Sequence, residues 1–393
     1  MAEVVVYLES ILALQEKSDG QLLPTGIRCF GIRENSDLKS LDQFLYTVGG
    51  EDRIVHRFDF NSIVYATENF SGANKLSSDI YSSIYKGRLQ NGQDITITQY
   101  SDTSVYARVY EDCMNEASIL VKFVHENMIE LLGYCIGGTK VYLVYDLAPK
   151  ATLAGLMFDP TCNLLDWNKR CKIILGVARV LAYLHNHAPI RIIHRDVKPA
   201  NILLDESFDP KLSCFGTALA TNETCPIQVD RLCGTPGYMA PEYLSASMVS
   251  TKADVYSFGA LVLGTVTGQR QLDLTRDEDP ILSDMASVIR FCDGTLVRKN
   301  WLEGTLSNIV DPRIEVDSTF IAKFIEIGLL CVEKAPGVRP TMEEVVDMLL
   351  GTSTSTIHVS DMRARMNLSC HLDLDLDWEC ESDLGSDDFE DNE

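Results

Sequence analysis

The stretch His194-Arg195-Asp196-Val197-Lys198-Pro199-Ala200-Asn201-Ile202-Leu203-Leu204-Asp205, or HRDVKPANILLD, decides how the rest of the chain is read. Three further motifs follow it in order: GTPGYMAPE from Gly234, DVYSFG from Asp254 and RPTM from Arg339. Working outward, the segment before it is β-like. IYKGRLQNGQDITITQY predicts two strands joined at Gln90-Asn91-Gly92-Gln93, Asn-Gly being the strongest short hairpin signal, and VYLVYDL predicts another buried strand. After Ala148 the pattern turns helical. Ile173, Ile174, Val177, Val180, Leu181 and Leu184 recur at helical spacing, and KADVYSFGALVLGTVTG is apolar nearly all round, as in a helix buried on every side. A β-rich small half followed by a larger helical half predicts an α+β, two-lobed fold dividing near Asp146 to Lys150.

HRDVKPANILLD resembles the catalytic loop of protein kinases, and the three later motifs match that family in order and spacing. Residues 58 to about 350 are similar to the plant receptor-like kinase and Pelle family, with FDFNSIVYATENFS from Phe58 and LDW at Leu165 typical of cysteine-rich receptor-like kinases. The resemblance implies a small lobe over residues 57–148, with a five-stranded sheet and one main helix, and a large lobe over 149–352. It also assigns roles. Asp196 would accept the substrate hydroxyl proton, Lys198 would face the transferred phosphate, and Asn201 would hold the second metal ion. His194, Phe215, Leu120 and an apolar strand residue near Leu131 resemble the stacked core of an active kinase, anchored by Asp254. Glu242 and Arg339 resemble the buried ion pair of the large lobe.

Phosphoryl transfer depends on positioning and charge stabilisation, so each part can be checked by residue type. The glycine-rich loop falls on LSSDIYSSIYKG from Leu76, where Ser77, Asp79 and Ser82 replace all three glycines and Ile84 follows. Side chains there obstruct close backbone approach to phosphates, and Asp79 opposes a polyanion. Thr98 stands at the lysine position, and a hydroxyl cannot replace an ammonium that bonds phosphates and pairs with a carboxylate. Glu116, the expected partner, is left without its cation, and Lys86 is a weak candidate for rescue. Thr96 adds bulk and a hydroxyl where a small alanine lines the adenine slot, and Tyr145 completes the degenerate nucleotide site. Cys214 replaces the magnesium-binding aspartate, and a neutral thiol is a poor ligand for a hard cation. Neither ATP nor magnesium is therefore expected as a resident cofactor; both return if binding is retained.

These departures point to a pseudokinase, a binding adaptor or regulator whose partners are active receptor-like kinases or immune receptors. The competing reading is a serine/threonine kinase with residual or unconventional activity, resting on Asp196, Lys198 and Asn201. Arg195 is the residue type that receives an activation-segment phosphate, with Thr217, Thr221, Thr224 and Thr235 as candidate acceptors. Thr221 and Thr224 are favoured; Thr235 has a structural reading, bonding near Asp196.

Composition sets the limits. The chain has 393 residues, 46% hydrophobic, with 34 basic against 57 acidic side chains and a net charge of −23, which disfavours nucleic acid and anionic membrane as direct partners. The 12 cysteines show no CxxC or CxxxC spacing and the seven histidines no cluster, which argues for reduced thiols and against zinc. No apolar run approaches the roughly 18 residues of a membrane span. The start has neither a basic signal-peptide region nor a glycine at Ala2, so a cytoplasmic location is expected, with a partner supplying any recruitment to the plasma membrane. Residues 1–56 carry one apolar run, Val4 to Leu14, and no assigned role. Residues 353–393 read as a solvated acidic tail, without Lys or Arg from Met366 onward.

Overall fold

The computed structural model describes residues 55–78, 81–101, 107–269, 295–316 and 318–352. The expected helix at Val4 to Leu14, the rest of the N-terminal segment before residue 55 and the acidic tail lie outside them.

The first lobe is a six-stranded sheet, β1 (His56–Arg57), β2 (Lys75–Ser78), β3 (Ser82–Arg88), β4 (Asp94–Tyr100), β5 (Leu131–Gly137) and β6 (Lys140–Tyr145), in the order β1-β5-β6-β4-β3-β2. That is one strand more than the five expected. The extra strand, two residues long, lies parallel to β5, and the approach requires glycine: a Cβ on Gly133 would stand 2.1 Å from the His56 carbonyl oxygen. The β3–β4 hairpin turns at Asn91-Gly92, where the Asn91 side chain accepts from the Gln93 amide and Gly92 adopts φ +88°.

Two helices cover the sheet. On one face, α1 (Phe60–Ala66), capped by Asp59, packs Ile63 and Ala66 against Ile95, Ile97, Cys135, Tyr142 and Val144 as a satellite core. On the other, α2 (Ala107–Lys122) buries Val109, Cys113, Ala117 and Leu120 toward the lobe junction. The sequence expectation of one main helix overlooked α1, whose seven residues fill little more than one hydrophobic stripe.

The second lobe comprises α3 (Leu153–Met157), α4 (Trp167–Ala182), α5 (Pro241–Ala246), α6 (Thr251–Thr267), α7 (Thr295–Glu303), α8 (Ser318–Cys331) and α9 (Met342–Leu350). Short strands hold the loops: β7 (Ala151–Thr152), β8 (Arg191–Ile193), β9 (Ile202–Leu204), β10 (Pro210–Leu212), β11 (Leu219–Thr221), β12 (Ile227–Gln228) and β13 (Met248–Val249). As its composition demands, α6 is buried at every residue from Ala253 to Thr267. The HRDVKPANILLD loop is strung between β8, which pairs with β11, and β9, which pairs with β7 and β10.

Two buried arginines tie the helices together. Arg170 on α4 bonds Asp311 at 2.6 Å, and Arg339 forms a two-pronged pair with Glu242 at 2.6 and 2.7 Å. Arg339 also donates to the carbonyls of Glu333, Lys252 and Lys334 and lies over the Tyr256 ring, so its charge is satisfied on all sides. Removing one member strands the other inside the protein. Glu242→Ala is expected to lower the unfolding free energy by about 3–5 kcal/mol in urea denaturation, and to exceed the effect of a surface pair such as Arg88–Asp94 several-fold.

Candidate functional site

Asp254 sets the position of the loop that carries the site. It is fully buried in the first turn of α6 and accepts from the His194 amide at 2.7 Å, the Arg195 amide at 2.8 Å and the His185 ring at 2.9 Å. Burial opposes its charge, but these bonds and the neighbouring imidazoles hold its carboxyl below the ordinary range. The loop folds tightly about it, with Arg195 in the left-handed region at φ +67°. The Asp196 amide donates to His194 Nδ1, which leaves Nε2 to donate to the Ser213 carbonyl at 3.0 Å; burial keeps that imidazole neutral.

The ring of His194 meets Phe215 edge-on, with centroids 4.8 Å apart, and both side chains are buried in one core with Leu120 and Leu131. The stacked set expected from the sequence is therefore assembled.

Asp196, Lys198, Asn201 and Thr235 form a closed network. Asp196 Oδ1 accepts from the Thr235 hydroxyl at 2.7 Å, while Oδ2 accepts from Asn201 Nδ2 at 2.8 Å and pairs with Lys198 Nζ at 2.9 Å. Lys198 in turn donates to Thr235 Oγ1 at 2.7 Å. Thr235 thus bonds Asp196 and Lys198 together.

Glu116 presents the largest difference from a lysine-paired carboxylate. It is buried on α2, and each of its oxygens accepts from a tyrosine: Oε2 from Tyr100 at 2.6 Å and Oε1 from Tyr145 at 2.8 Å. Thr98 is buried on β4 between the two. Lys86 stays exposed on β3. Desolvation raises the Glu116 carboxyl, opposed by the hydrogen bonds of Tyr100, Tyr145 and the Phe215 backbone. Tyr100 was missed in the sequence, although a signal existed. On β4 the two-residue period places Thr96, Thr98 and Tyr100 on one face, and a buried acid that has lost a cation needs another donor.

The same helix holds the segment after Phe215. Asn115 Nδ2 donates to the carbonyls of Phe215, Gly216 and Ala218 at 3.3, 3.0 and 2.7 Å, and Asp112 pairs with Arg231 at 3.3 Å. Neither contact was anticipated, because both are formed between residues more than a hundred positions apart.

At the expected metal position Cys214 takes φ +66°, a left-handed conformation that Asp and Asn tolerate better than Cys. Burial, reinforced by the charge of Glu116, pushes its thiol far up, so it stays neutral. Asn201 turns its amide nitrogen to Asp196. A neutral thiol and an amide already engaged do not make a fitting donor set for magnesium. The cavity left between the lobes measures about 60 Å³ and brings together Ser77, Ser82, Ile84, Lys198, Asn201 and Cys214. A ligand pocket is typically about 300–1,000 Å³, so a nucleotide does not fit the cleft as it stands. Asp79 lies outside the described residues, and Thr96 and Tyr145 do not line this cavity.

Residues 73–350 match the family model described as protein kinase domain. This chain belongs to the protein kinase family. The kinase domain is of the plant receptor-like kind: it is 40% identical over 302 residues to cysteine-rich receptor-like protein kinase 26 of Arabidopsis thaliana, covering 75% of this chain and 44% of the relative. Cysteine-rich receptor-like protein kinase 36 matches at 38% over 77% of the chain and 44% of the relative. The Arabidopsis G-type lectin S-receptor-like serine/threonine-protein kinase SD1-13 matches at 39% over 74% and 34%. The chain spans less than half the length of these curated relatives. No helix among the described residues is long and apolar enough to cross a membrane.

Among the candidate regulatory positions, the Arg195 side chain donates to the Thr217 carbonyl at 2.5 Å. Thr221 is buried in β11 and its hydroxyl accepts from the Glu223 amide, whereas Thr224 is exposed.

The state of Glu116 is open to measurement. Because its carboxyl is raised, the folded chain holds that proton more tightly than the unfolded chain. Its contribution to stability is complete below the ordinary pKa of about 4.3 and is lost as pH rises through the folded value. Tyr100→Phe removes one donor and is expected to cost about 1.5–3 kcal/mol at pH 7 and less at pH 4.5, by chemical denaturation. Glu116→Gln should flatten that difference.

Proposed function

We propose that this kinase domain is a pseudokinase that works by binding, as an adaptor or regulator of active receptor-like kinases or immune receptors on the cytoplasmic side of the membrane. One observation carries the reading: the buried carboxylate of Glu116 is satisfied by Tyr100 and Tyr145, with Thr98 where a phosphate-gripping cation belongs. Losing one preorganised electrostatic contact typically slows a reaction about 10²- to 10³-fold. Here the lysine, the metal-binding aspartate and three loop glycines are all replaced, at Thr98, Cys214, Ser77, Asp79 and Ser82. These parts act as a unit, so their losses do not simply add, yet no single restoration brings catalysis back.

The rest of the domain supports a binding role. Asn115, Asp112 and Asp254 hold the loop and the segment after Phe215 in place through contacts within the chain. A surface organised in that way is available to a partner without nucleotide. Phosphorylation by that partner falls on Thr224, the exposed acceptor, in preference to Thr221.

A second reading, a serine/threonine kinase with residual activity, has one observation in its favour: Asp196, Lys198 and Asn201 keep a mutually bonded arrangement. The two readings separate in a radiolabelled phosphate-transfer assay of the unmodified chain beside Asp196→Asn. No incorporation above background is expected from either, and Thr98→Lys alone and Cys214→Asp alone should remain inactive. Robust incorporation that disappears in Asp196→Asn would establish a true kinase.

A further inference from the structure

The cleft between the lobes is also shut at the end away from Lys198 and Cys214. Thr96 is fully buried on β4, and its partner across the sheet is Tyr145, the last residue of β6 before the chain crosses to the second lobe. This register brings the Thr96 hydroxyl to the crossing segment, where it donates to the Leu147 carbonyl at 3.2 Å. The Leu147 amide donates to the Tyr145 carbonyl at 3.0 Å. Both backbone polar groups of Leu147 are thus used within the chain, at a residue that is itself buried. The cavity between the lobes extends from Cys214 to Ile84 and includes neither Thr96 nor any residue of the crossing.

A flat heterocycle bearing an exocyclic amine, such as adenine, is recognised in a buried slot by backbone groups that accept and donate along one edge. Such a slot must present an open carbonyl and enough room for a planar ring. Here the carbonyl is capped by a hydroxyl from the facing strand. The capping side chain is β-branched, so its χ1 is stiff and it does not swing aside readily.

We propose that Thr96 is a specificity-determining residue: its hydroxyl caps the Leu147 carbonyl and closes the base end of the cleft against purines, independently of metal and of the phosphate-contacting positions. This rests on the reading of the cleft as a lapsed nucleotide site. It adds a second lock to that reading, since a purine lacking phosphates is refused as well.

Adenosine, which has no phosphate and needs no magnesium, is the probe, and ligand-dependent melting of the full chain is the readout. The unmodified chain should show no shift with millimolar adenosine. Thr96→Ala uncaps the carbonyl and makes room, and should gain affinity by at least about tenfold, seen as a dose-dependent rise in melting temperature without magnesium. Thr96→Ser keeps the hydroxyl and should behave as the unmodified chain. Thr96→Cys, which keeps a side chain but only a weak donor, is the second opened variant should the alanine chain not fold. If neither opened variant responds, the proposal fails while the pseudokinase reading stands. If serine gains as much as alanine, the methyl group and not the hydrogen bond closes the slot, and the proposal also fails. A response of the unmodified chain to adenosine overturns the lock, and a response to magnesium-ATP overturns the pseudokinase reading itself.

Discussion

A single carboxylate with no solvent exposure, Asp254, holds the functional part of this molecule in register. It sits in the first turn of α6, a helix whose burial on all sides prevents it from shifting, and it takes the amides of His194 and Arg195 together with the His185 ring. A buried charge with this many donors is stable only while every donor stays in place, so the loop inherits the rigidity of the helix. From that point the geometry propagates through contact. His194 is oriented so that its ring meets Phe215, Phe215 lies in one core with Leu120 on α2, and α2 carries Glu116, Asn115 and Asp112.

The other end of that chain of contacts has been rebuilt. A carboxylate in the position of Glu116 cannot be left unpartnered, because desolvation would raise its proton affinity and loosen the helix that carries it. Two tyrosine hydroxyls supply what a cation would otherwise supply, at less electrostatic strength but without an exposed route to a polyanion. The substitution keeps α2 against the sheet while removing the charge that would grip phosphate. Structural and catalytic demands on the same acid are thereby separated: the first is met, the second is not.

The same separation explains the network around Asp196. Its oxygens are taken by Thr235, Asn201 and Lys198, each of which also serves to pin the loop. Residues of this kind persist for structural reasons once chemistry is gone, since removing any one leaves buried polar groups unsatisfied. Retention of the acid, base and amide is therefore weaker evidence for activity than loss of the cation is evidence against it.

The two-lobed fold, the kinase resemblance and the identity of the replaced positions were legible in the residues alone. Periodicity identified α4 and α6, the Asn91-Gly92 pair located the β3–β4 turn, and motif order fixed the roles of Asp196, Asp254, Glu242 and Arg339. These are local properties, set by side-chain spacing and turn chemistry within a few residues. Three things were decided only in three dimensions. Tyr100 and Tyr145 reach Glu116 from two different strands, Thr96 caps Leu147 across 51 positions, and β1 joins the sheet because Gly133 lets a distant backbone come close. Each is a hydrogen bond or a close approach between segments far apart in the chain. Sequence can state that a buried acid or carbonyl needs a partner, but which neighbour supplies it depends on strand register and lobe packing, and those are properties of the folded whole.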